Sequence, residues 1–266
     1  MARLRKEYRI VLPVTVDEYK IAHLWSISER SKLETGGGNG VEIIVNEPSE
    51  IGQFTHKIWH IADKVPRVIR ALAPKGSIEI HEKSWNTHPT CKTELSNPDY
   101  MKDGFQVETK TVCLPDLGES ENVHNLPEDE WKSVEVVHID FVNDPTYSRD
   151  YSQEYDLKLF KSAKTGRGPY DEDWKTQLKS QSPPTYMCVY KLVSVEFKWW
   201  GLQDNVESRI HKTTRRLFTS LHRQVVCWID DWYGLSVEEL RIHEQETKEE
   251  LDLMLRSDGV RGMVEK

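Results

Sequence analysis

An apolar strand that runs into a long helical pattern constrains the fold of this chain more than any other feature. Residues 186–198 have the pattern of the strand, and alternation of its side chains puts Lys191 on the same face as Val193 and Val195. A lone cation on an apolar face is costly unless an anion meets it there. The pattern therefore predicts a sheet whose inner face receives an anionic group.

The helical pattern after this strand has apolar residues spaced by three, four and seven positions. Such spacing is typical of a helix that lays an apolar stripe against another element. The predicted stripe consists of Val206, Ile210, Leu217, Leu221, Val225, Trp228 and Trp232. Trp199 and Trp200 lie on the turn between strand and helix. We expect this turn to touch a membrane and an apolar ligand to lie between sheet and helix.

Composition narrows the class of protein. The 266 residues carry a formal net charge of -8, whereas nucleic-acid binding requires a basic face. The four cysteines contain no C-x-x-C pair, so we expect no metal site. No apolar run approaches the roughly 18 residues of a membrane span, and the polar start is unlike a signal peptide. These features predict a cytoplasmic protein with reduced thiols.

Strand and helix signals elsewhere predict one α+β domain over residues 1–266, with no internal repeat and no linker. Further strands are expected near residues 3–14, 41–46, 54–61, 77–85, 90–96, 105–114 and 133–141. Their spacing is typical of a large, mostly antiparallel sheet. Two capping boxes, Thr15 with Glu18 and Ser236 with Glu239, predict helices that run to about residues 33 and 256.

Two segments keep alternative interpretations. Residues 64–74 form an amphipathic piece bounded by prolines. This piece fits both a crossover helix and a mobile gate whose basic residues face phosphate headgroups. Ser162 lies in a basic, glycine-rich run, where it is either a phosphorylation site or part of a solvated loop. A phosphate on Ser162 would pair with Lys161, Lys164 or Arg167.

Polar residues recur on strand faces that are predicted to look inward. They are Thr55, Lys57, Glu82, Asn86, Cys91, Thr93, Thr109 and Thr111. Each alone is explained as a half-exposed sheet residue. As a set with Lys191, however, they include two inward cations, and both cations need partners.

The sequence contains no recognisable catalytic set. The G-x-S-x-G and H-E-x-x-H motifs are absent, so we expect no enzyme. The main rival interpretation is a cyclase or hydrolase of an apolar substrate, for which Glu82 with a histidine is the best available acid–base pair. A pure interaction module is the third interpretation.

Short motifs that follow one another along almost the whole chain carry a family resemblance. They are Lys6-Glu-Tyr-Arg9, Glu34-Thr-Gly-Gly-Gly38, Asn46-Glu-Pro48, Gly52-Gln-Phe-Thr-His-Lys57, His81-Glu-Lys-Ser-Trp-Asn86, Pro115-Asp-Leu-Gly118, Phe160-Lys-Ser-Ala-Lys-Thr-Gly-Arg-Gly168, Tyr190-Lys-Leu-Val193, Phe197-Lys-Trp-Trp-Gly-Leu-Gln203 and His222-Arg-Gln224. Through these motifs the chain resembles the short cytosolic class of soluble, single-domain phosphatidylinositol transfer proteins.

The resemblance implies a fold and a role. The fold is a large concave, mostly antiparallel sheet with long helices that enclose a lipid cavity (helix-grip, START-like), and a lid formed by the C-terminal helix and tail at about residues 236–266. The role is that of a monomeric carrier, cytoplasmic and transiently membrane-associated. It would bind one phosphatidylinositol or phosphatidylcholine, exchange it between membranes and so supply phosphatidylinositol for phosphoinositide signalling. Phospholipid would be its cargo, with no cofactor.

The resemblance also implies residue roles. Four residues would contact the inositol ring: Thr55, Lys57, Asn86 and Glu244. Three would hold the phosphate: Thr93, Thr111 and Lys191. Cys91 would lie beside a choline headgroup, Trp199 and Trp200 would insert into the membrane interface, and Ser162 would be a regulatory phosphorylation site.

Three residues depart from the pattern expected of the family. His23 stands in place of a glutamine near the phosphate, Leu221 in place of a phenylalanine near the headgroup, and Thr214 in place of a glutamate. The departures leave open which of the two lipids is preferred. His23 would also give its contact a dependence on pH.

Overall fold

A computed structural model describes residues 4–62, 78–146, 148, 150–198, 203–257 and 259. The 64–74 segment, Trp199, Trp200 and most of the C-terminal tail lie outside these residues. Predictions about the gate, the membrane-touching turn and the tail therefore stay predictions.

The described residues form one eight-stranded sheet and six α-helices. The strands are β1 Leu4–Leu12, β2 Gly40–Ser49, β3 Gly52–His60, β4 Glu79–Thr87, β5 Thr90–Asn97, β6 Lys102–Leu114, β7 Glu135–Ile139 and β8 Met187–Phe197. The helices are α1 Val16–Glu34, α2 Glu128–Trp131, α3 Trp174–Lys179, α4 Gln203–Cys227, α5 Ile229–Trp232 and α6 Val237–Leu255.

The sheet has the strand order β2-β3-β4-β5-β6-β8-β1-β7. All neighbouring strands are antiparallel except β1 and β7, which are parallel. The predicted α+β class with a large, mostly antiparallel sheet is confirmed. Strand β8 lies between β6 and β1, and its residues from Met187 to Val195 are buried on both faces of the sheet.

Both capping boxes are present. The hydroxyl of Thr15 accepts from the Glu18 N–H at 3.2 Å, and the Glu18 carboxylate accepts from the Thr15 N–H at 2.8 Å. Ser236 and Glu239 make the same reciprocal pair at the start of α6. Both helices start where the boxes predicted, because each box satisfies N–H groups that lack an intrahelical acceptor.

Three helices lie on one face of the sheet, which we call the inner face. The Tyr8 hydroxyl of β1 bonds His211 of α4, and the Lys191 ammonium of β8 lies 5.2 Å from the centre of the Phe218 ring on the same helix. The Gln53 amide of β3 donates to Glu244 of α6 at 2.8 Å. Helix α1 packs against α4 and α6 on this side.

The predicted apolar stripe is partly wrong on α4. Leu217 is 40% exposed, whereas the buried side chains of this helix include Glu207, His211 and His222. The helix also ends at Cys227 instead of continuing to residue 232. The physical reason is that α4 faces hydrogen-bonding groups of the sheet and of α1, so its buried side is largely polar.

Candidate functional site

The register of the sheet aligns five polar side chains into one row on the inner face. Gln53 on β3 lies opposite Asn86 on β4, which lies opposite Cys91 on β5. Cys91 in turn lies opposite Thr111 on β6, which lies opposite Lys191 on β8. Because opposite residues of antiparallel neighbours share a face, four predicted site residues lie side by side.

A second row of hydroxyl groups runs beside the first. Thr55 lies opposite Ser84, Ser84 opposite Thr93, and Thr93 opposite Thr109. The Ser84 oxygen is 3.0 Å from the Thr93 oxygen and 3.4 Å from the Cys91 sulfur. The structure thus brings Thr55 and Thr93 to the same face as the first row.

The Lys191 ammonium is buried without a counter-charge from the described residues. The residue is 5% exposed, and among the described residues its ammonium reaches the Thr111 hydroxyl, at 3.4 Å, and the Phe218 ring. Burial lowers the pKa of Lys191, because desolvation disfavours the charged form. The anion that the sequence predicts is therefore not supplied by the described part of the chain.

A second inward cation, that of Lys57, is also buried without an ion pair to the described residues. Lys57 is 6% exposed and lies opposite Glu82 on β4. The Glu82 carboxylate, however, accepts from the Trp59 indole N–H at 2.9 Å. Among the described residues no ion pair forms at Lys57.

Helix α6 brings Glu244 to the β3 end of the first row. One carboxylate oxygen accepts from the Gln53 amide, and the other pairs with Arg241 at 2.5 Å. Gln53 lies opposite Asn86 and two residues before Thr55. The four residues predicted to contact inositol thus lie on β3, β4 and α6. They are on the side of the inner face that is away from Lys191.

The space between sheet and helices is partly accessible yet enclosed. Thr55, Asn86, Cys91 and Thr93 keep accessible surface although they look toward the helices. His23 on α1 is also partly accessible, yet burial holds its pKa well below the usual range, and Lys191 adds to the effect. A group that is both accessible and deeply surrounded by protein lines an internal space.

Sequence reasoning missed four polar residues between the sheet and the helices. Gln53 and Ser84 follow the same alternation that identified Thr55 and Asn86, so this signal was present. Tyr19 and His222 gave no such signal, because their contact joins two helices that are far apart in the chain: the Tyr19 hydroxyl donates to the His222 ring at 3.2 Å.

Ser162 is a buried residue, so the solvated-loop interpretation is wrong for its side chain. It is 2% exposed, and its hydroxyl donates to the carboxylate of Asp230. The same carboxylate accepts from the N–H groups of Ala163 and Lys164, and Arg167 forms two hydrogen bonds with Glu18. Phosphorylation of Ser162 stays a prediction; the phosphate would meet the Asp230 carboxylate and displace this network.

A groove outside the inner face has a volume of about 670 Å³ and lies between α4 and described residues from Phe141 to Thr146 and from Asp150 to Lys158. Two of the arginines that line it pair with aspartates that also line it: Arg215 with Asp144 at 3.0 Å, and Arg216 with Asp150. None of the predicted site residues lines it. The inner face is therefore the candidate site.

The acid–base pair required by the enzyme interpretation does not form with the strand histidines. Glu82 looks inward, whereas His56, His60 and His81 occupy the opposite face of β3 and β4. Within the described ranges, no three His, Cys, Asp or Glu side chains are grouped to hold a metal ion. None of the described helices is long and apolar enough to cross a membrane.

Comparison with known proteins agrees with the geometry. The model of the family described as "Phosphatidylinositol transfer protein" matches residues 3–249. A phosphatidylinositol transfer protein beta isoform from Rattus norvegicus is 48% identical over 264 residues, which cover 97% of both chains. Phosphatidylinositol transfer protein 5 from Dictyostelium discoideum is 44% identical over 93% of this chain and 86% of its own. Membrane-associated phosphatidylinositol transfer protein 2 from Homo sapiens is 43% identical over 91% of this chain but 18% of its own. The chain belongs to the phosphatidylinositol transfer protein family.

Proposed function

We propose that this chain is a lipid carrier that holds one phosphatidylinositol or phosphatidylcholine molecule between sheet and helices and exchanges it between membranes. The observation that carries the proposal is the pair of buried inward cations, Lys191 and Lys57, with no carboxylate paired to either among the described residues. A phospholipid would supply the missing anion through its phosphate and fill the remaining space with its acyl chains. The names of the relatives are consistent with this cargo.

The acyl chains cannot decide which lipid is carried. Burial of each CH2 group gains about 0.8 kcal/mol relative to water, but leaving a bilayer costs a similar amount. The two contributions nearly cancel when a lipid is exchanged between protein and membrane. Selection therefore depends on the headgroup, where a buried hydrogen bond left unmade costs roughly 1–3 kcal/mol.

The headgroup roles follow the order of residues along the inner face. Thr93, Thr111 and Lys191 would bind the phosphate, which both lipids share. Thr55, Lys57, Asn86 and Glu244 would bind the inositol hydroxyls, and Cys91 would lie beside choline. Support comes from the register, which places Asn86 and Cys91 opposite each other in the row that ends at Lys191.

The carrier would act without chemical conversion of its cargo. Trp199 and Trp200 would anchor it briefly in the membrane interface, where indole rings are favoured. We further propose that it works as a monomer, moves between the cytoplasm and membrane surfaces, and supplies phosphatidylinositol for phosphoinositide signalling.

Replacement of Asn86 by alanine tests the headgroup assignment. We expect phosphatidylinositol transfer to fall about 10-fold or more while phosphatidylcholine transfer is retained, because choline offers Asn86 no hydrogen bond. Thr87→Ala is the matched control, since Thr87 is exposed on the opposite face of the same strand. Transfer of radiolabelled lipids between vesicles measures both activities. Equal loss of both lipids in Asn86→Ala would refute the assignment.

Replacement of Lys191 by methionine should change protein stability and lipid transfer in opposite directions. In lipid-free protein we expect the free energy of unfolding to rise by about 1 kcal/mol near neutral pH, because an uncompensated buried cation is removed. Transfer of both lipids should fall. Lys110→Met is the control, since Lys110 is exposed and pairs with Glu108.

The difference in the free energy of unfolding between Lys191→Met and the parent should become smaller as the pH rises. The pKa of Lys191 is lowered in the folded protein from its ordinary 10.5, so the unfolded chain binds more protons. The stability of the parent should therefore rise with pH toward that value, and the advantage of Lys191→Met should shrink. Urea unfolding at several pH values measures it. A Lys191→Met protein that is less stable than the parent, and whose deficit does not change with pH, would contradict the account.

Replacement of both Trp199 and Trp200 by alanine tests the membrane contact. We expect weaker vesicle binding and slower transfer of both lipids to a similar degree, because interfacial indole rings anchor without distinguishing headgroups. Vesicle sedimentation and the transfer assay measure the two effects. Vesicle binding equal to that of the parent would refute this role.

A further inference from the structure

Gln53 on β3 lies at the end of the inner-face row that is farthest from Lys191. It lies opposite Asn86 on β4 and on the same side of β3 as Thr55 and Lys57. The residue is 5% exposed, so its amide is enclosed by protein. The residues expected to contact the headgroup surround Gln53, but Gln53 itself is not among them.

The partners of the Gln53 amide determine which of its two terminal atoms is the nitrogen. The Nε2 atom donates to the Glu244 carboxylate at 2.8 Å and to the Oδ1 atom of Asn46 on β2. Glu244 also pairs with Arg241, and a carboxylate in an ion pair only accepts hydrogen bonds. The Gln53 atom that faces Glu244 is therefore the N–H donor, and the other terminal atom is the carbonyl oxygen Oε1.

The Oε1 atom of Gln53 is a buried acceptor to which none of the described residues donates a hydrogen bond. Buried polar atoms are nearly always paired, because an acceptor that has lost its contact with water and has gained no donor destabilises the protein. An unpaired acceptor beside Asn86 and Thr55 favours a ligand that brings a hydroxyl donor to this end of the inner face.

We propose that Gln53 is a specificity-determining residue for phosphatidylinositol. Its Oε1 atom accepts a hydrogen bond from one hydroxyl of the inositol ring, while its Nε2 atom holds Glu244 of α6 against the sheet. This inference rests on the proposed function, since it requires a phospholipid in the inner space. It adds to that function a residue that distinguishes the two headgroups.

The two headgroups differ in what they offer the Oε1 atom of Gln53. The inositol ring has several hydroxyl donors, whereas the quaternary ammonium of choline has no N–H or O–H group. The acceptor therefore gains a partner when phosphatidylinositol binds and stays unpaired when phosphatidylcholine binds. A buried group that requires a hydrogen bond discriminates more strongly between ligands than apolar contact does.

The test is titration of the full-length, lipid-free chain with short-chain phosphatidylinositol and phosphatidylcholine. We expect Gln53→Met, which keeps the size of the side chain, to lower the affinity for phosphatidylinositol about 10-fold and to leave the affinity for phosphatidylcholine unchanged. Gln245→Met is the matched control, because Gln245 is exposed on α6 and bonds Glu249. This control should bind both lipids as the parent does.

Phosphatidylinositol analogues that each lack one ring hydroxyl separate a direct contact from an effect through Glu244. In the parent, loss of the hydroxyl that donates to Gln53 should weaken binding about 10-fold, whereas in Gln53→Met the same loss should have no effect. Glu244→Gln should stay sensitive to that hydroxyl. The reason is that one hydroxyl donates one hydrogen bond, so Gln53 and Glu244 accept from different hydroxyls.

Each outcome of these titrations decides the inference. Equal loss of both lipids in Gln53→Met, or an unchanged affinity for phosphatidylinositol, would overturn it while leaving the carrier function intact. So would Gln53→Met and Glu244→Gln becoming insensitive to the same hydroxyl alone, because Gln53 would then act only by positioning Glu244. A parent that binds neither lipid would overturn both the inference and the carrier function.

Should Gln53→Met not fold, NMR of the parent supplies the answer. A hydrogen bond to a carbonyl oxygen moves the resonance of its carbon downfield. The Cδ resonance of Gln53 should therefore lie further downfield in the chain loaded with phosphatidylinositol than in the chain loaded with phosphatidylcholine. The same resonance position with both lipids would overturn the inference.

Discussion

The buried Lys191 ammonium is the constraint on which the rest of the inner face depends. The described residues give it one hydroxyl and one aromatic ring but no carboxylate. A protein that keeps such a group loses stability when empty and recovers it when an anion binds. The register of the sheet then determines which side chains surround that anion, since Thr111, Cys91 and Asn86 follow Lys191 in one row.

The same arrangement connects the cargo to the helix proposed as the lid. Glu244 of α6 bonds Gln53, which lies in the row that contains Asn86. At its far end, α6 buries Leu251 and also makes polar contacts: Lys32 pairs with Glu250 at 3.1 Å, and the Gly38 N–H donates to the Leu255 carbonyl at 3.0 Å. Exposed polar contacts of this kind are weak, which would suit the proposed role of α6 as a lid.

Much of the fold was predictable because the signals were local. The capping boxes gave the starts of α1 and α6, and strand alternation put Lys191, Asn86 and Thr111 on one face. The buried side of α4 was not predictable in the same way, because periodicity arguments assume that buried residues are apolar. His211 and His222 are buried because of partners on β1 and α1, some 200 positions away in sequence.

The central claim is that a phospholipid occupies the inner space, and native mass spectrometry tests it most directly. The full-length chain would be purified from cells without detergent, and the released molecule would be identified. The account predicts one phosphatidylinositol or phosphatidylcholine per chain. A chain that carries no lipid, or that carries a different small molecule in its place, would contradict the carrier function and return the enzyme interpretation to the front.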